Sequence, residues 1–544
     1  MKEQNCTFDK RHILNIIKKN VLDSFKLVLF ATIFFTFYSC DSSRSQPNII
    51  IVLTDDQGWT DSSVKMMKDR EDSKSDFYET PNMQKMAKEG LIFSSAYAPA
   101  PVCTPTRYSI LYGKTPAKLR HTTLKDWHAT PVEDEISLPQ MIKEINNNYK
   151  AAHFGKWHLR PKSLTPELAG YDVSDGPTGN FEGDWVRNGA KNNTDDLKMT
   201  FGISKRACDF MEDQVSKNNP FFMQVSYYAV HVPNYGLEST TEKYRKKKPG
   251  KKSVPRDFEL PPPPLNEGMV SYAAMLEDLD TGFGMILNKI DELGIKENTY
   301  VIFTSDNGGG FRGNDPLKMG KADLWEGGIR VPTIVRGPKV LSNEYCNVPI
   351  AGWDFYPTVS EIIGNPKRLA SDFDGGSLLS VFENGNAGKV IRNTDALIFH
   401  FPWFSGEPES AIRLGDYKLI KNIDSRQTWL FDVKKDIEES NDLSDAMPAK
   451  ANELEKLLSD YLEEHNAENV MDFRIKRRKI IIEHAVPAEK KRLINIRESL
   501  KTAKIDDQSK LIADLNKTEK YLKWLNNQVT FIDERSKLHN ESGM

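Results

Sequence analysis

Three apolar runs, each closed by a polar cluster, constrain this chain more than any other feature. Residues 48–54 (Asn48-Ile49-Ile50-Ile51-Val52-Leu53-Thr54) form a continuous apolar stretch of strand length, and residues 221–228 and 300–305 have the same character. A strand that is apolar on both sides has no face to offer to water. It reads as buried on both faces, as in a parallel sheet covered by helices. Residues 333–335 read as a fourth strand, and helical periodicity appears at 82–89, 139–145 and 269–293. This alternation predicts an α/β fold with a large, mainly parallel sheet sandwiched by helices. The first run ends in Asp55-Asp56-Gln57-Gly58 and the run at 300–305 in Asp306-Asn307-Gly308; His231-Val232-Pro233 follows 221–228. The carboxyl ends of parallel strands are where such folds build their sites.

The texture changes from Ala396. Residues 411–421 and 428–433 read as short strands, and 449–461 as an amphipathic helix with Leu454, Leu457, Leu458 and Tyr461 on one side. These predict a small antiparallel sheet with a covering helix. Beyond about residue 466 comes a basic run, Arg474-Ile475-Lys476-Arg477-Arg478-Lys479. Leu511, Leu515, Leu522, Leu525, Val529 and Ile532 then recur at helical spacing. One or two long helices are expected, packing on the body or on a partner. The chain thus divides into an export segment (1–40), a catalytic α/β domain (41–395), an antiparallel subdomain (396–465) and a charged helical tail (466–544). The basic, proline-rich segment 243–264 is expected to be an inserted loop, either simply solvated or guiding an anionic polymer toward the site.

At the N-terminus, Lys10, Arg11, Lys18, Lys19 and Lys26 precede an apolar run at 27–38 that is short for a membrane span. Ser39-Cys40-Asp41-Ser42-Ser43 follows and resembles a bacterial lipoprotein cleavage site. Cys40 would then be the lipidated first residue of an exported protein, periplasmic or at the cell surface, anchored to the membrane by its lipid. A plain secretory signal or an uncleaved anchor is the alternative. The five cysteines are too few for a disulfide scaffold, and whether Cys208 and Cys346 pair is left open. The net charge of −3 gives no nucleic-acid signature.

Cys103-Thr104-Pro105-Thr106-Arg107 carries the chemistry. Pro105 suits a first helical turn. Cys103 should therefore start a helix, where unbonded N–H groups and the dipole favour an anion. The stretch 101–113 resembles the signature of type I sulfatases, of the alkaline phosphatase superfamily, and departs from it at Tyr112, where a small residue is usual. Gly155-Lys156-Trp157-His158 resembles the second signature of that family, with Asn148 and Ala151 where Gly and Thr or Ser are usual. His231-Val232-Pro233 and Asp306-Asn307-Gly308 match further segments. So does 320–332, which holds Lys321 and Glu326-Gly327-Gly328-Ile329-Arg330-Val331-Pro332. The segments stand in the expected order and the resemblance spans about 47–465.

The resemblance implies an alkaline-phosphatase-like fold and a sulfuric ester hydrolase. It implies that a formylglycine-generating or sulfatase-maturating enzyme oxidises Cys103 to formylglycine (3-oxoalanine), whose hydrate attacks a sulfate ester. It implies a metal held by Asp55, Asp56, Asp306, Asn307 and residue 103. Such hard oxygen donors suit calcium, or magnesium in a tight site. By the same resemblance Lys156 and Lys321 hold the sulfate and Arg107 anchors the hydroxyl that does not attack. His231 protonates the leaving alcohol, and His158 takes the proton that lets sulfate leave. The expected substrate is a sulfated polysaccharide or oligosaccharide, with Trp127, His128, His400 and Trp403 shaping the sugar pocket. Two rivals remain. A phosphonate or phosphate monoester hydrolase would prefer aryl phosphates to aryl sulfates. A glycan-binding lipoprotein without turnover would be indifferent to loss of Cys103.

Overall fold

The computed structural model describes residues 46–123, 132, 135–159, 164–180, 195–250, 266–310, 314–364, 372–403 and 407–541. The export segment with Cys40 lies outside them, as do Trp127 and His128. No helix among the described residues is long and apolar enough to cross a membrane.

The body is built on strands β1 (Asn48–Thr54), β2 (Leu91–Phe93), β3 (Ala96–Tyr97), β4 (Lys150–Gly155), β5 (Val173–Ser174), β6 (Phe221–Ser226), β7 (Thr299–Ser305), β8 (Thr333–Arg336), β9 (Glu344–Cys346) and β10 (Ile350–Ala351). Eight of them form one sheet in the order β5-β4-β6-β1-β7-β8-β2-β9, and β3 pairs with β10. The run β5-β4-β6-β1-β7 is parallel throughout. Strand β8 is antiparallel to both β7 and β2, so the sheet is mixed and mainly parallel.

Every residue of β1 is buried, and its alternate side chains enter two different cores. Ile50 and Val52 meet Met83 and Met86 of α1 (Pro81–Glu89). Ile49, Ile51 and Leu53 meet Tyr108 and Ile110 of α2 (Cys103–Tyr112) and Leu138 and Ile142 of α3 (Leu138–Ile145). Helix α3 opens with a capping box between Ser137 and Gln140. The first core also takes Ile203 and Ala207 of α4 (Thr200–Ser216), and Leu276, Leu279 and Phe283 of the long helix that packs beside α4. Cys208 and Cys346 are free and lie in different cores, so they do not pair.

The start of the basic segment is not loop. Residues 243–245 close helix α5 (Glu238–Arg245), which precedes that long helix, α6 (Glu267–Glu292). Lys243 pairs with Glu79 and Glu277, and Lys247 with Glu79. These cations are neutralised within the fold. Residues 251–264 lie outside the described set.

Strands β11 (Leu397–Phe401), β12 (Glu409–Leu414), β13 (Tyr417–Asn422) and β14 (Thr428–Asp432) form an antiparallel meander. One face, with Phe399, Ala411, Ile420 and Phe431, packs on Tyr97, Val102, Trp325 and Trp353 of the body. The other face, with Ile398, Ile412 and Leu419, packs on Ala451, Leu454, Leu458 and Tyr461 of α7 (Pro448–Glu464). Leu457, expected on that stripe, lies at its edge and is 42% exposed. Lys418 sits fully buried between Glu326 and Glu439 and pins the small sheet to the body.

The tail forms three helices rather than one or two: α8 (Val470–Ile480), α9 (Val486–Thr502) and α10 (Ile505–Glu541). A five-residue π turn, Ile481–Ala485, joins the first two. Arg474, within the basic run, is fully buried and bonded to both carboxylate oxygens of Asp424 at 2.7 and 2.5 Å. Leu525 and Ile532 bury against Ile481, while Leu511, Leu515 and Leu522 are only partly covered.

Candidate active site

Strand register assembles the site. Thr54 of β1 stands opposite Ser305 of β7, and Ser226 of β6 stands opposite both Leu53 and Gly155 of β4. Four neighbouring parallel strands therefore end at one edge, and the residues that follow them converge. Backbone bonds continue the ladder past the strand ends: Asp306 N–H to Thr54 O at 3.0 Å, Lys156 N–H to Ser226 O at 2.8 Å, and Val230 N–H to Asp55 O at 2.7 Å. Gly155 has φ +91°, and a Cβ there would lie 2.0 Å from the Ser226 carbonyl. Only glycine fits the turn that delivers Lys156. Asp56 and His158 adopt left-handed backbone, at φ 62° and 52°. Each costs on the order of 1 kcal/mol for a residue with a Cβ, and both occur at the site.

Cys103 is the first residue of α2 and is buried. Val102 before it is extended and supplies no side-chain cap, which leaves the first-turn N–H groups without one. One ligand atom each from Cys103, Asp55 and Asp306 lies within 4.8 Å of the others. One turn further on, Arg107 donates from Nε and Nη2 to Asp306 Oδ2 at 3.1 and 2.6 Å, and from Nη1 to the Lys156 carbonyl at 2.6 Å. Thr104 Oγ1 donates to the His158 carbonyl at 3.1 Å. Lys156 Nζ lies 2.5 Å from Asp55 Oδ2. Lys321 Nζ lies 2.6 and 2.8 Å from the two oxygens of Asp56, and Asn307 Nδ2 donates to Asp56 Oδ1 at 2.9 Å. His231 Nε2 is 3.9 Å from Asp56 Oδ2. The Arg107, Asp306, Lys156 and Asp55 side chains are at most 2% exposed, whereas those of His231 and Lys321 are each 17% exposed. The site thus has a sealed floor and a mouth lined by His231 and Lys321.

Burial opposes the ionisation of Asp55, but Lys156, His231, Arg107 and Lys321 outweigh it and hold this carboxyl well below the usual range. Asp306 goes the other way. Burial and the neighbouring Asp55 charge push it up to about 6, against the pull of Arg107 and Lys156. Burial also raises the Cys103 thiol, despite Lys156 and Lys321. An unmodified thiol here is a weak nucleophile at neutral pH. Asp55 Oδ1 and Asn307 Oδ1 are buried with no hydrogen-bond partner, an arrangement that is costly unless something binds them. With three carboxylates and an amide oxygen converging, the residues present fit a hard divalent cation.

Cys103, Arg107, Lys156, Lys321, His231, Asp55, Asp56, Asp306 and Asn307 come together, and His158 joins them through Thr104. His400 does not. Its Nδ1 lies 2.8 Å from Ser410 Oγ and its Nε2 2.7 Å from the Glu468 carbonyl. It points to the α7 side of the small sheet, away from the body, because alternation along β11 sends Phe399 and Phe401 the other way. The expectation that it shapes a sugar pocket is corrected. Trp403 stacks on Phe401, 5.7 Å between centroids, and packs on the cluster that contains Val102. Sequence reasoning missed Lys198, whose Nζ donates to the His231 carbonyl at 2.5 Å; no motif marks it.

A family model described as Sulfatase matches residues 47–365. The chain is 27% identical over 525 residues to a protein of Formosa agariphila named Sulfatase, covering 78% of this chain and 90% of that one. It is 28% identical over 414 residues to the N-acetylgalactosamine-6-sulfatase of Mus musculus, covering 68% and 71%. A crystal structure of Ps i-CgsB in complex with k-i-k-neocarrahexaose superposes with a TM-score of 0.63 at 24% identity, over 77% of this chain and 93% of that chain, a likeness of fold.

Proposed function

The chain belongs to the sulfatase family and is a sulfuric ester hydrolase; from that premise we propose that it removes sulfate from sulfated polysaccharides or their oligosaccharides, through a formylglycine made from Cys103 beside a bound calcium ion. One observation carries the reading. Cys103 starts a helix with no side-chain cap, within 4.8 Å of Asp55 and Asp306, among Lys156, Lys321, Arg107 and His231. The names of its relatives support the substrate class: one is called for a sulfated amino sugar and a solved neighbour holds a neocarrahexaose.

Asp55, Asp56, Asp306 and Asn307 would hold the cation, which supplies polarisation of a bound sulfate and a lowered pKa for a hydroxyl beside it. The formylglycine hydrate supplies two hydroxyls on one carbon, so that sulfate is accepted by one and released through the other. The chain's own groups do the rest. Lys156 and Lys321 bring two positive charges to the end of the sheet where Cys103 sits, and the buried Lys156 is little screened by water. Arg107, fixed by Asp306 and the Lys156 carbonyl, cannot swing and so holds the hydroxyl that does not attack. His231, at the mouth, is placed to protonate the leaving alcohol. His158 accepts the proton from the second hydroxyl as sulfate departs. The sealed floor keeps bulk water from competing. Trp403 packs on the cluster shared by Val102 and Ala322, the chain neighbours of Cys103 and Lys321, and offers an aromatic face for a sugar ring.

The same proposal includes export, with Cys40 lipidated at the periplasmic or outer surface; incorporation of labelled palmitate that is lost in Cys40→Ala tests it. For the activity, the test is sulfate release from sulfated oligosaccharides alongside hydrolysis of p-nitrophenyl sulfate and p-nitrophenyl phosphate. Preference for the sulfate ester, abolished in Cys103→Ala, is expected. Preference for phosphate, or full activity in Cys103→Ala, overturns it.

A further inference from the structure

The tail beyond α7 carries a feature that the catalytic chemistry does not use. Tyr521 and Trp524 stand three residues apart on one side of α10, their rings stacked with centroids 5.5 Å apart and planes 13° from parallel. They are 44% and 43% exposed. Large aromatic rings held side by side in water mark a binding surface. They border a cavity of about 490 Å³, completed by Glu489 and Arg492 of α9 and by Lys517, Thr518 and Lys520 of α10. Among the described residues, Arg492, Lys517 and Lys520 enter no ion pair, whereas nearby Arg497 is tied to Glu519. Glu489 is the lone acid of the lining, and its Oε2 is buried without a hydrogen-bond partner. Residues 470–541 hold 17 Lys and Arg against 11 Asp and Glu, in a chain whose overall formal charge is −3. The positive charge of the protein is therefore concentrated on this appendage.

The combination is specific. Stacked aromatic faces accept the apolar C–H face of a sugar ring, unpaired cations accept sulfate groups, and an unsatisfied carboxylate oxygen accepts a sugar hydroxyl. A second copy of the chain is a poor occupant, since two tails of like charge would repel face to face. We propose that Tyr521 and Trp524, with Arg492, Lys517 and Lys520, form a second carbohydrate site on the tail that binds sulfated glycan away from the catalytic pocket. This deepens the reading of the chain as a glycan sulfatase and rests on it. A polymer held on the tail stays at high effective concentration near the catalytic pocket between turnovers.

The test uses the full chain carrying Cys103→Ala, so that the probe is not consumed. Its retardation in native gels containing chondroitin sulfate, dextran sulfate or desulfated chondroitin is measured. It is then compared with chains that add Tyr521→Ala and Trp524→Ala, or Lys517→Gln and Lys520→Gln. Retardation by at least one sulfated probe, weakened about tenfold or more by either pair of changes, is expected. In the chain that keeps Cys103, neither pair should alter hydrolysis of p-nitrophenyl sulfate. No retardation, equal retardation by the desulfated polymer, or retardation untouched by both pairs would overturn the proposal. So would a fall in molecular mass by light scattering with retardation intact, which assigns the patch to contact between copies. Failure of the sulfatase reading would show separately, as absent turnover of aryl sulfate in the chain that keeps Cys103.

Discussion

Arg107 and Asp306 are joined by two hydrogen bonds to a single carboxylate oxygen, at 3.1 and 2.6 Å, while the remaining guanidinium nitrogen reaches the Lys156 carbonyl. One side chain therefore ties the helix that presents Cys103 to the ends of β7 and β4. A lysine ammonium is a point donor and cannot reproduce that fork. Arg107→Lys is expected to lower the turnover of p-nitrophenyl sulfate by about 10²-fold or more. Arg107→Ala, which strands a buried carboxylate, should lower stability by about 3–5 kcal/mol in denaturant titrations. Wild-type rate and midpoint in both variants would show that the fork is dispensable.

His231 sits at the mouth, its side chain partly exposed, where a leaving alcohol would depart. If it is the proton donor, its removal matters in proportion to the basicity of that alcohol. His231→Ala should cost about 10²–10⁴-fold on a sugar sulfate, and much less on p-nitrophenyl sulfate, whose phenol leaves unaided. Equal losses on both substrates would place His231 in binding and not in proton transfer.

The orphaned oxygens of Asp55 and Asn307 predict a response to metal that does not depend on turnover. Calcium added to chelator-treated protein should raise the thermal midpoint, because it binds the folded state alone. At a hundredfold excess over the dissociation constant the gain is about 2.7 kcal/mol. Asn307→Ala should shrink the shift. A midpoint indifferent to calcium and magnesium would mean that these oxygens are not ligands.

Glu468 links the tail to the segment that follows α2. It accepts from the Thr122 N–H at 2.8 Å and from the Thr122 hydroxyl. Burial pushes its carboxyl up to about 7, against the pull of those bonds. The folded state then holds the proton more tightly than the unfolded chain does. This contribution to stability is full below about pH 4.5 and is lost as pH rises through about 7. Glu468→Gln should remove up to about 3 kcal/mol of that pH dependence, seen as a flatter plot of denaturation midpoint between pH 4.5 and 7. An unchanged slope would contradict the burial argument.

The sheet was legible because β1 is covered on both sides, which leaves an unbroken apolar run, and because Asp55 and Asp306 directly follow paired strands. The opposite direction of β8 was not legible, since a four-residue strand, Thr333-Ile334-Val335-Arg336, carries no sign of its direction in the sheet. His400 misled for a related reason. Within the apolar run of β11 nothing marks which face meets the body, and a histidine beside a tryptophan reads like a pocket. The burial of Arg474 was hidden in a run of cations, as its partner Asp424 lies 50 positions away. Lys198 reaches the site only through the His231 carbonyl, a contact that the folded chain alone reveals.

The central claim is that the working group at residue 103 is no longer a thiol. The most direct measurement is the mass of the tryptic peptide spanning residues 89–107, taken from active protein made in its own host, with and without a hydrazine. The account predicts an aldehyde at residue 103, trapped by the hydrazine, in proportion to sulfatase activity. Fully active protein whose Cys103 alkylates as an ordinary thiol would contradict it.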